Sequence, residues 1–253
     1  MSKLSGYSHS KLKTIIKYWL EKKPKQQLDL CSFKYIIIDA TYFHKDGCLM
    51  NLMDAKTQRI IAHIYVRKES FVDAYPWFQD LKHQDLDPLF ITTDGERSII
   101  RAINMIWPLA KTQRCLYHIQ REGMRWLRTY PKTQAGKELK DILSKLSWIN
   151  SIKERDCFIA TYNQWIVKYK DFVKSLPSST VAFKDLKRTI VLINKALPNM
   201  FYYLDDLQVH ATTNALEGFH SRLKTDYQRH RGLTKQHRIQ YIHWYCYFKN
   251  RAY

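Results

Sequence analysis

Three acidic residues stand in settings from which they could hold metal ions together. Asp39 ends the apolar run Tyr-Ile-Ile-Ile-Asp, Asp94 ends Leu-Phe-Ile-Thr-Thr-Asp, and Glu217 lies far downstream in Asn-Ala-Leu-Glu-Gly-Phe-His. Carboxylate oxygens are ligands that Mg²⁺ and Mn²⁺ favour. Two such ions about 4 Å apart can activate an attacking oxygen and stabilise the leaving oxygen of a phosphodiester. We expect Asp39 to bridge the two ions, and Asp94 and Glu217 each to complete one of them.

Each of the three residues also has an ordinary structural interpretation. Asp39 would only end a strand, Asp94 would only begin a turn before Gly95, and Glu217 would lie on a helix surface. The charge of the chain favours the chemical interpretation, since 42 lysines and arginines against 23 acidic residues give +19 at pH 7. A protein this basic indicates a polyanionic partner. Three acids in such a protein point to cations held against phosphates.

Glu217 shares a predicted helix face with other polar residues. Spacings of three, four and seven residues nearly complete whole helical turns, so residues 214, 217, 221 and 224 lie on one side of the helix. Asn214 and Lys224 would therefore support Glu217 at the same site, with Lys224 contacting a phosphate near the metal ions. The alternative is a coincidence of spacing on a basic helix.

The motif Cys115-Leu-Tyr-His118 follows Asp94 by 21 residues and is placed at the end of the last strand. A structural zinc site needs four ligands, and no second Cys/His pair at zinc spacing stands out. We therefore predict that Cys115 and His118 are buried hydrogen-bonding groups that support the catalytic face. Direct contact with DNA or with the metal site is the alternative.

Basic and aromatic residues alternate after Glu217 and again after the Cys-x-x-His motif. Lysine and arginine neutralise phosphates, and a tyrosine can stack on an unpaired base. A solvated cationic face is the alternative for the first group. The residues that we predict to contact DNA are Arg125, Trp126, Arg222, Lys224, Tyr227, Arg229 and Arg231.

The composition limits the class of protein. With 253 residues, 45% of them apolar and 14% aromatic, the chain is expected to be globular, with one large or two small domains. No apolar stretch approaches the roughly 18–20 residues of a membrane-spanning helix, and the N-terminus lacks the apolar core of a signal peptide. Nucleic acid is therefore preferred to a membrane as the partner. The five cysteines form no Cys-x-x-Cys pair and are expected to be reduced thiols in a cytoplasmic protein.

Strand-like and helix-like segments alternate between residues 34 and 117, which predicts an α/β unit. Strands are expected at 34–43, 48–54, 60–66, 89–93 and 112–117, with helices at 70–83 and 96–107 and a turn at 45–47. This is the element order of an RNase H-like mixed sheet with flanking helices. The run Ile36-Ile37-Ile38 suits a central strand buried on both faces. A right-handed crossover through the 70–83 helix would make Asp39 and Asp94 neighbours on adjacent strands.

The remaining segments complete the predicted domain organisation. Residues 1–27 are lysine-rich, and Gly-Tyr-Ser before a helix at 9–20 resembles the second half of a helix-turn-helix unit. In that case the chain is expected to be truncated, whereas the alternative is a basic helix packed on the next domain. Residues 28–120 form the first part of the RNase H-like core, and 121–210 an all-α insertion of about five helices. Residues 211–253 contain the last catalytic helix, a break near Gly232 and a basic tail.

Together these residues resemble the Mutator-type, or MULE-like, DDE transposases of insertion sequences. The resemblance covers roughly residues 34–250, and the matching residues, in the family order, are Asp39, Asp94, Cys115, His118, Asn214, Glu217 and Lys224. It implies an RNase H-like core with two Mg²⁺ or Mn²⁺ ions that cuts at terminal inverted repeats and joins the freed 3′-hydroxyl to target DNA. It also implies a homo-oligomer in the DNA complex and a bacterial cytoplasmic location, at the nucleoid when DNA is bound. Only a remnant of the family's N-terminal DNA-binding region is expected here.

Two other functions compete with this expectation. A non-catalytic descendant of a transposase, truncated or domesticated, would bind DNA in a salt-dependent way without metal-dependent cleavage. A stand-alone RNase H-like nuclease, such as a junction resolvase, would cut DNA but never join ends. The acidic trio argues against the first, and the long helical segment with the Asn-x-x-Glu motif argues against the second.

Overall fold

A computed structural model describes residues 5–25, 28–43, 47–230 and 232–249. Within these ranges the five strands are β1 (Tyr35–Phe43), β2 (Gly47–Asp54), β3 (Ile60–Val66), β4 (Phe90–Thr93) and β5 (Lys111–Arg114). The nine α-helices are α1 (His9–Leu20), α2 (Phe71–His83), α3 (Arg97–Ile106), α4 (Leu116–Leu127), α5 (Gln134–Ser144), α6 (Ile152–Ser175), α7 (Val181–Ala196), α8 (Asn214–Gln228) and α9 (Lys235–Lys249). The protein is therefore a mixed α/β protein.

The strands form one mixed sheet in the order β3-β2-β1-β4-β5. β1, β2 and β3 are joined as an antiparallel meander, whereas β4 lies parallel to β1 and β5 parallel to β4. Helix α2 connects β3 to β4 and helix α3 connects β4 to β5, which are the crossovers that parallel strands require. The predicted adjacency of the first and fourth strands is confirmed.

The centre of the sheet is buried on both faces because side chains alternate along β1. Ile36 and Ile38 pack in one apolar cluster with α2 and α3, while Ile37 packs in a second cluster with residues of α8 and α9. The two clusters lie on opposite sides of the strand. The prediction of a doubly buried central strand is thus confirmed.

Helices α4 to α7 pack around a separate apolar cluster that includes Leu139, Leu143, Trp165 and Ile193. Most of these helices begin at a side-chain cap, such as Thr133, Ser151 and Thr180, whose hydroxyls accept backbone N–H groups of the first turn. Residues 116–204 contain four α-helices and three short 3-10 helices rather than five helices. This group stands beside the sheet and forms the second wall of the cleft described below.

Several boundaries differ from the predicted ones. The last strand ends at Arg114 rather than at residue 117, and Cys115 precedes α4. The backbone N–H of Cys115 still donates to the carbonyl of Thr93 at 2.8 Å, and the N–H of Leu116, the first residue of α4, donates to the carbonyl of Ala211 at 3.0 Å. Residues 45–46 of the expected turn and 26–27 of the expected basic segment lie outside the described part of the chain.

The basic helix α1 forms where it was predicted and packs on α9. The rings of Trp19 and Trp244 meet edge to face at 5.4 Å, and the Trp244 indole N–H donates to the carbonyls of Trp19 and Lys22. These contacts agree with the alternative interpretation, a lysine-rich helix packed on the rest of the protein. All five cysteines are free, and among the described residues no helix has the length and apolar character needed to cross a bilayer.

Candidate active site

Asp39 and Asp94 are neighbours on two adjacent parallel strands. Ile38 of β1 is paired with Thr93 of β4. Asp39 follows in the middle of β1, and Asp94 is the first residue after β4. Asp94 is fixed by its own loop, since the backbone N–H of Glu96 donates to its Oδ1 at 2.9 Å. The parallel register therefore brings together the first two acids of the predicted trio.

A glycine and an arginine shape the backbone after Asp94. Gly95 has φ +99°, a conformation that side chains rarely adopt, and a Cβ atom there would collide with the guanidinium of Arg114. Arg114 Nη2 donates to the carbonyl of Asp94 at 3.3 Å, and burial lowers the pKa of Arg114. Because residue 95 has no side chain, the guanidinium of Arg114 can lie across the turn that holds Asp94.

His118, in the first turn of α4, completes a cluster with the two aspartates. Ligand atoms of Asp39, Asp94 and His118 all lie within 4.8 Å of one another. Burial alone would lower the pKa of His118, but the hydrogen bond to Cys115 and the charges of both aspartates outweigh it and raise the pKa. Two carboxylates and an imidazole so close together are a set of donors that suits a divalent cation.

Glu217 reaches the same cluster from the first turn of α8. Its Oε1 lies 3.4 Å from His118 Nε2. Although that oxygen is buried, it accepts no hydrogen bond from any described residue. A buried carboxylate oxygen without a donor costs free energy, and a cation is the partner that would remove this cost. The donor set therefore fits a bound metal ion.

Cys115 ties the start of α8 to this cluster. Its sulfur accepts hydrogen bonds from the backbone N–H and the hydroxyl of Thr213, at 3.4 and 3.5 Å, and lies 3.3 Å from His118 Nδ1. Thr213 immediately precedes α8. Cys115 thus links His118 to the residue that begins the helix carrying Glu217.

Glu69, in the loop between β3 and α2, is a further carboxylate on the cleft that was not predicted from the sequence. Burial, and next the charge of Asp94, raise the pKa of Glu69 to about 8. Its backbone N–H donates to the hydroxyl of Tyr42 at 3.3 Å. Because Glu69 lies in an irregular loop, no helical or strand spacing in the sequence indicates that it belongs to the cleft.

The carboxylates lie in a cleft of about 1690 Å³ between the sheet and the helical group. One wall is a face of α3, on which Arg97, Arg101 and Met105 recur at helical spacing. The described basic side chains that line the cleft are Arg97, Arg101, Lys111, Arg114, Arg121, Lys195 and Lys224. An acidic cluster in a basic cleft suits a polyanion that is handled with the help of cations.

Only some of the predicted DNA-binding residues line this cleft. Lys224 and Trp126 do, and Lys224 lies on the wall with Glu217 as the helical spacing predicted. Tyr227 instead packs its ring against Phe43, with centroids 4.9 Å apart, and is partly buried there, away from the residues that line the cleft.

The other predicted contacts lie away from the cleft or outside the described residues. Arg229 pairs with Asp226 at 3.3 Å and Arg125 pairs with Glu122 within α4. Arg222 and Asn214 are not among the residues that line the cleft, and Arg231 is outside the described residues. The cations of α3 were missed, although Arg97 and Arg101 follow Asp94 at a spacing of one helical turn and could have been considered.

Fold and site together define a class: α/β proteins whose clustered acids lie inside a cleft edged with lysine and arginine, as suits proteins that act on nucleic acid. A family model is more specific. The model described as transposase, Mutator family, matches residues 3–231, and the chain therefore belongs to the Mutator family of transposases. No curated protein matches the chain. Family membership supports a transposase function that involves DNA binding.

Proposed function

We propose that this chain is a DDE transposase that cuts the ends of its element and joins the 3′-hydroxyl to target DNA. In this proposal β1 to β5 and α8 are an RNase H-like core, and residues 121–210 are an all-α insertion between β5 and the last catalytic helix. The sheet order with a parallel β1–β4 pair and the separate apolar cluster of α4 to α7 support this assignment.

The observation that carries the proposal is the convergence of the three acids. Asp39 and Asp94 come from adjacent strands, and the buried, hydrogen-bond-free oxygen of Glu217 lies next to His118, which contacts the same cluster. Three elements far apart in sequence thus place acids in one cleft. A strand-end aspartate alone would need no such arrangement.

Asp39, Asp94 and Glu217 would hold two Mg²⁺ or Mn²⁺ ions. When bound, these ions supply activation of an oxygen nucleophile and stabilisation of the leaving oxygen. The chain's own residues orient the groups: Glu96 N–H fixes Asp94, and Cys115 joins His118 to Thr213 before α8. His118 adds a nitrogen to the donor set, so it belongs to the site more closely than a supporting residue would.

The DNA backbone would follow α3 away from the acids. A helix of ten residues is about 15 Å long, which matches roughly four base pairs of duplex. Along this wall and opposite it lie Arg97, Arg101, Lys111 and Lys195, and none of the four is in an ion pair with a described residue. Such unpaired cations are the groups that neutralise phosphates.

An aromatic patch lies at the far part of this path. Lys111 Nζ is 5.5 Å from the centre of the Phe90 ring and 5.6 Å from that of Tyr202, and Tyr202 lines the cleft. The proposed partners are the terminal inverted repeats of the element and target DNA, held by a homo-oligomer. Lys224 and Trp126, on the other side of the acids, would contact the DNA end.

The decisive experiment is strand transfer of a labelled, pre-cut element end into plasmid DNA, with Mg²⁺ or Mn²⁺ compared with EDTA. Glu217→Gln should abolish the metal-dependent joined product, because the amide keeps the shape of the side chain but loses its charge. Glu122→Gln is the matched control, since Glu122 lines the same cleft but pairs with Arg125 on its own helix.

The products separate this function from its competitors. Joined product that survives Glu217→Gln would remove Glu217 from the site. Cuts without any joining would identify a nuclease, and salt-sensitive DNA binding with neither cutting nor joining would identify a DNA-binding descendant of a transposase.

A further inference from the structure

A row of buried polar side chains runs from Asp39 to the last helix. His220 Nδ1 lies 3.4 Å from Asp39 Oδ2. On the other side of the ring, His220 Nε2 is 2.9 Å from Asn51 Oδ1, and the Asn51 amide nitrogen is 3.6 Å from the sulfur of Cys246. The row therefore connects an acid of the site with α8, β2 and α9.

The row is buried, and only its Asp39 and His220 end borders the cleft. Asn51 and Cys246 have no exposed surface, and His220 and Asp39 are also buried. Asn51 stands directly opposite Asp39 in the β1–β2 pair, so the two side chains lie on the same face of the sheet. Polar groups are costly to bury unless each finds a partner, and here each partner is another member of the row.

The hydrogen positions that this row permits all direct a proton at Asp39. Nδ1 faces a carboxylate oxygen, which accepts hydrogen bonds, whereas the Asn51 amide beside Nε2 offers an acceptor oxygen or, when turned, a donor nitrogen. With either orientation of the amide, Nδ1–H can donate to Asp39. An Nδ1 lone pair set against the carboxylate would be repulsive.

We infer that His220 is a positioning residue, which holds one oxygen of Asp39 through Nδ1 so that the carboxylate presents its other oxygen to a metal ion. Asn51 holds the ring from behind. This role rests on the proposed function, because the proposed function gives Asp39 a cation to bind. The positioning role also involves α9, because Cys246 of that helix is the last member of the row. Cys246 lies beyond the family match at residues 3–231.

Two substitutions test the two ring nitrogens of His220 separately. In His220→Asn the side-chain amide reaches the position of Nδ1 and keeps the contact with Asp39, whereas in His220→Gln it reaches the position of Nε2 and keeps only the contact with Asn51. Partners behind a metal ligand typically contribute 10–100-fold in metal affinity. We expect His220→Gln to weaken Mn²⁺ binding by about tenfold or more, and His220→Asn to stay within about threefold of wild type.

Mn²⁺ binding is measured directly, by electron paramagnetic resonance of the free ion during titration of the folded protein, with urea unfolding of each variant alongside. His63→Gln is the matched control, because it removes another histidine of the interior that contacts α9 and should leave Mn²⁺ affinity unchanged. If His220→Gln does not fold, His220→Ala takes its place with the same expected loss.

The outcomes separate the inference from the proposed function. Two results together support the positioning role. Wild-type protein binds Mn²⁺ at a site that Asp39→Asn removes, and of the His220 variants only the Gln or Ala variant binds Mn²⁺ more weakly. The same wild-type site with unchanged affinity in His220→Gln, or with the greater loss in His220→Asn, overturns the role and leaves the proposed function standing. Wild-type protein without such a Mn²⁺ site contradicts both.

Discussion

Acidification should destabilise this protein through a buried pair of histidines. His63 of β3 and His243 of α9 lie with Nε2 of the first 2.8 Å from Nδ1 of the second. Burial, the charge of His243 and the charge of Lys23 together lower the pKa of His63 to about 3. Burial and the charge of Lys23 lower the pKa of His243 to about 4. Both imidazoles are therefore neutral in the folded protein at pH 5.

The size of the effect follows from the difference between folded and unfolded pKa values. In the unfolded chain both histidines titrate near 6.5. Because the folded values are lower, the unfolded state binds more protons below pH 6.5, and stability falls as the pH falls from there towards about 4. Above pH 6.5 the pair has no such effect. At about pH 5 each histidine lowers the free energy of unfolding by about 2 kcal/mol, or about 4 kcal/mol for the pair.

Urea unfolding followed by tryptophan fluorescence at about pH 7.5 and about pH 5 measures this difference. The comparison is with the double variant His63→Leu/His243→Leu, since replacing both partners with apolar groups leaves no unpaired donor. Wild type should lose about 4 kcal/mol more than the double variant on acidification. His83→Gln, at an exposed histidine, should behave as wild type does. Equal losses in wild type and the double variant would refute the reasoning.

Three further predictions concern the cleft. Asp39→Asn should abolish cleavage and leave DNA affinity at low salt largely intact; cleavage at the wild-type rate would remove Asp39 from the site. Gly95→Ala should lower the free energy of unfolding by about 1–3 kcal/mol in urea, because the positive φ and the guanidinium of Arg114 both oppose a methyl group. The double variant Arg101→Gln/Lys111→Gln should reduce the slope of log affinity for DNA against log salt concentration by about two. Replacing two exposed lysines of α6 with glutamine should leave that slope unchanged. An unchanged slope would place the DNA elsewhere.

The sheet and the first two acids could be predicted because they depend on local pattern. Short apolar runs mark the strands, and the order of strands and helices leaves few ways of pairing them. Once β4 lies beside β1, Asp39 and Asp94 become neighbours without any further information. The helix face that carries Glu217 and Lys224 was predictable for the same reason, since both residues line the cleft at the expected spacing.

What could not be predicted depends on contacts between distant segments. The chain leaves β5 for α4 where the N–H of Leu116 donates to the carbonyl of Ala211, a residue far away in sequence, and the sequence Cys-Leu-Tyr-His gives no sign of this contact. Glu69 joins the cleft from a loop. The ring of Tyr227 packs against Phe43, although its neighbours in sequence are those of a basic surface. Spacing shows which residues share a helix face, but not which face another element covers.

The same limit explains why the role of His220 was missed, and it shows how α8 organises the site. Glu217 and His220 are one turn apart, so α8 directs one towards His118 and the other towards Asp39. The helix is held on the sheet by three buried side chains, Leu216, Phe219 and Leu223. Each stabilises the packing by roughly 1.5–3 kcal/mol, whereas an unsatisfied buried oxygen costs roughly 1–3 kcal/mol. Apolar packing of α8 therefore outweighs the cost of holding Glu217 without a hydrogen bond, and the acid is kept in place for the cation that we propose.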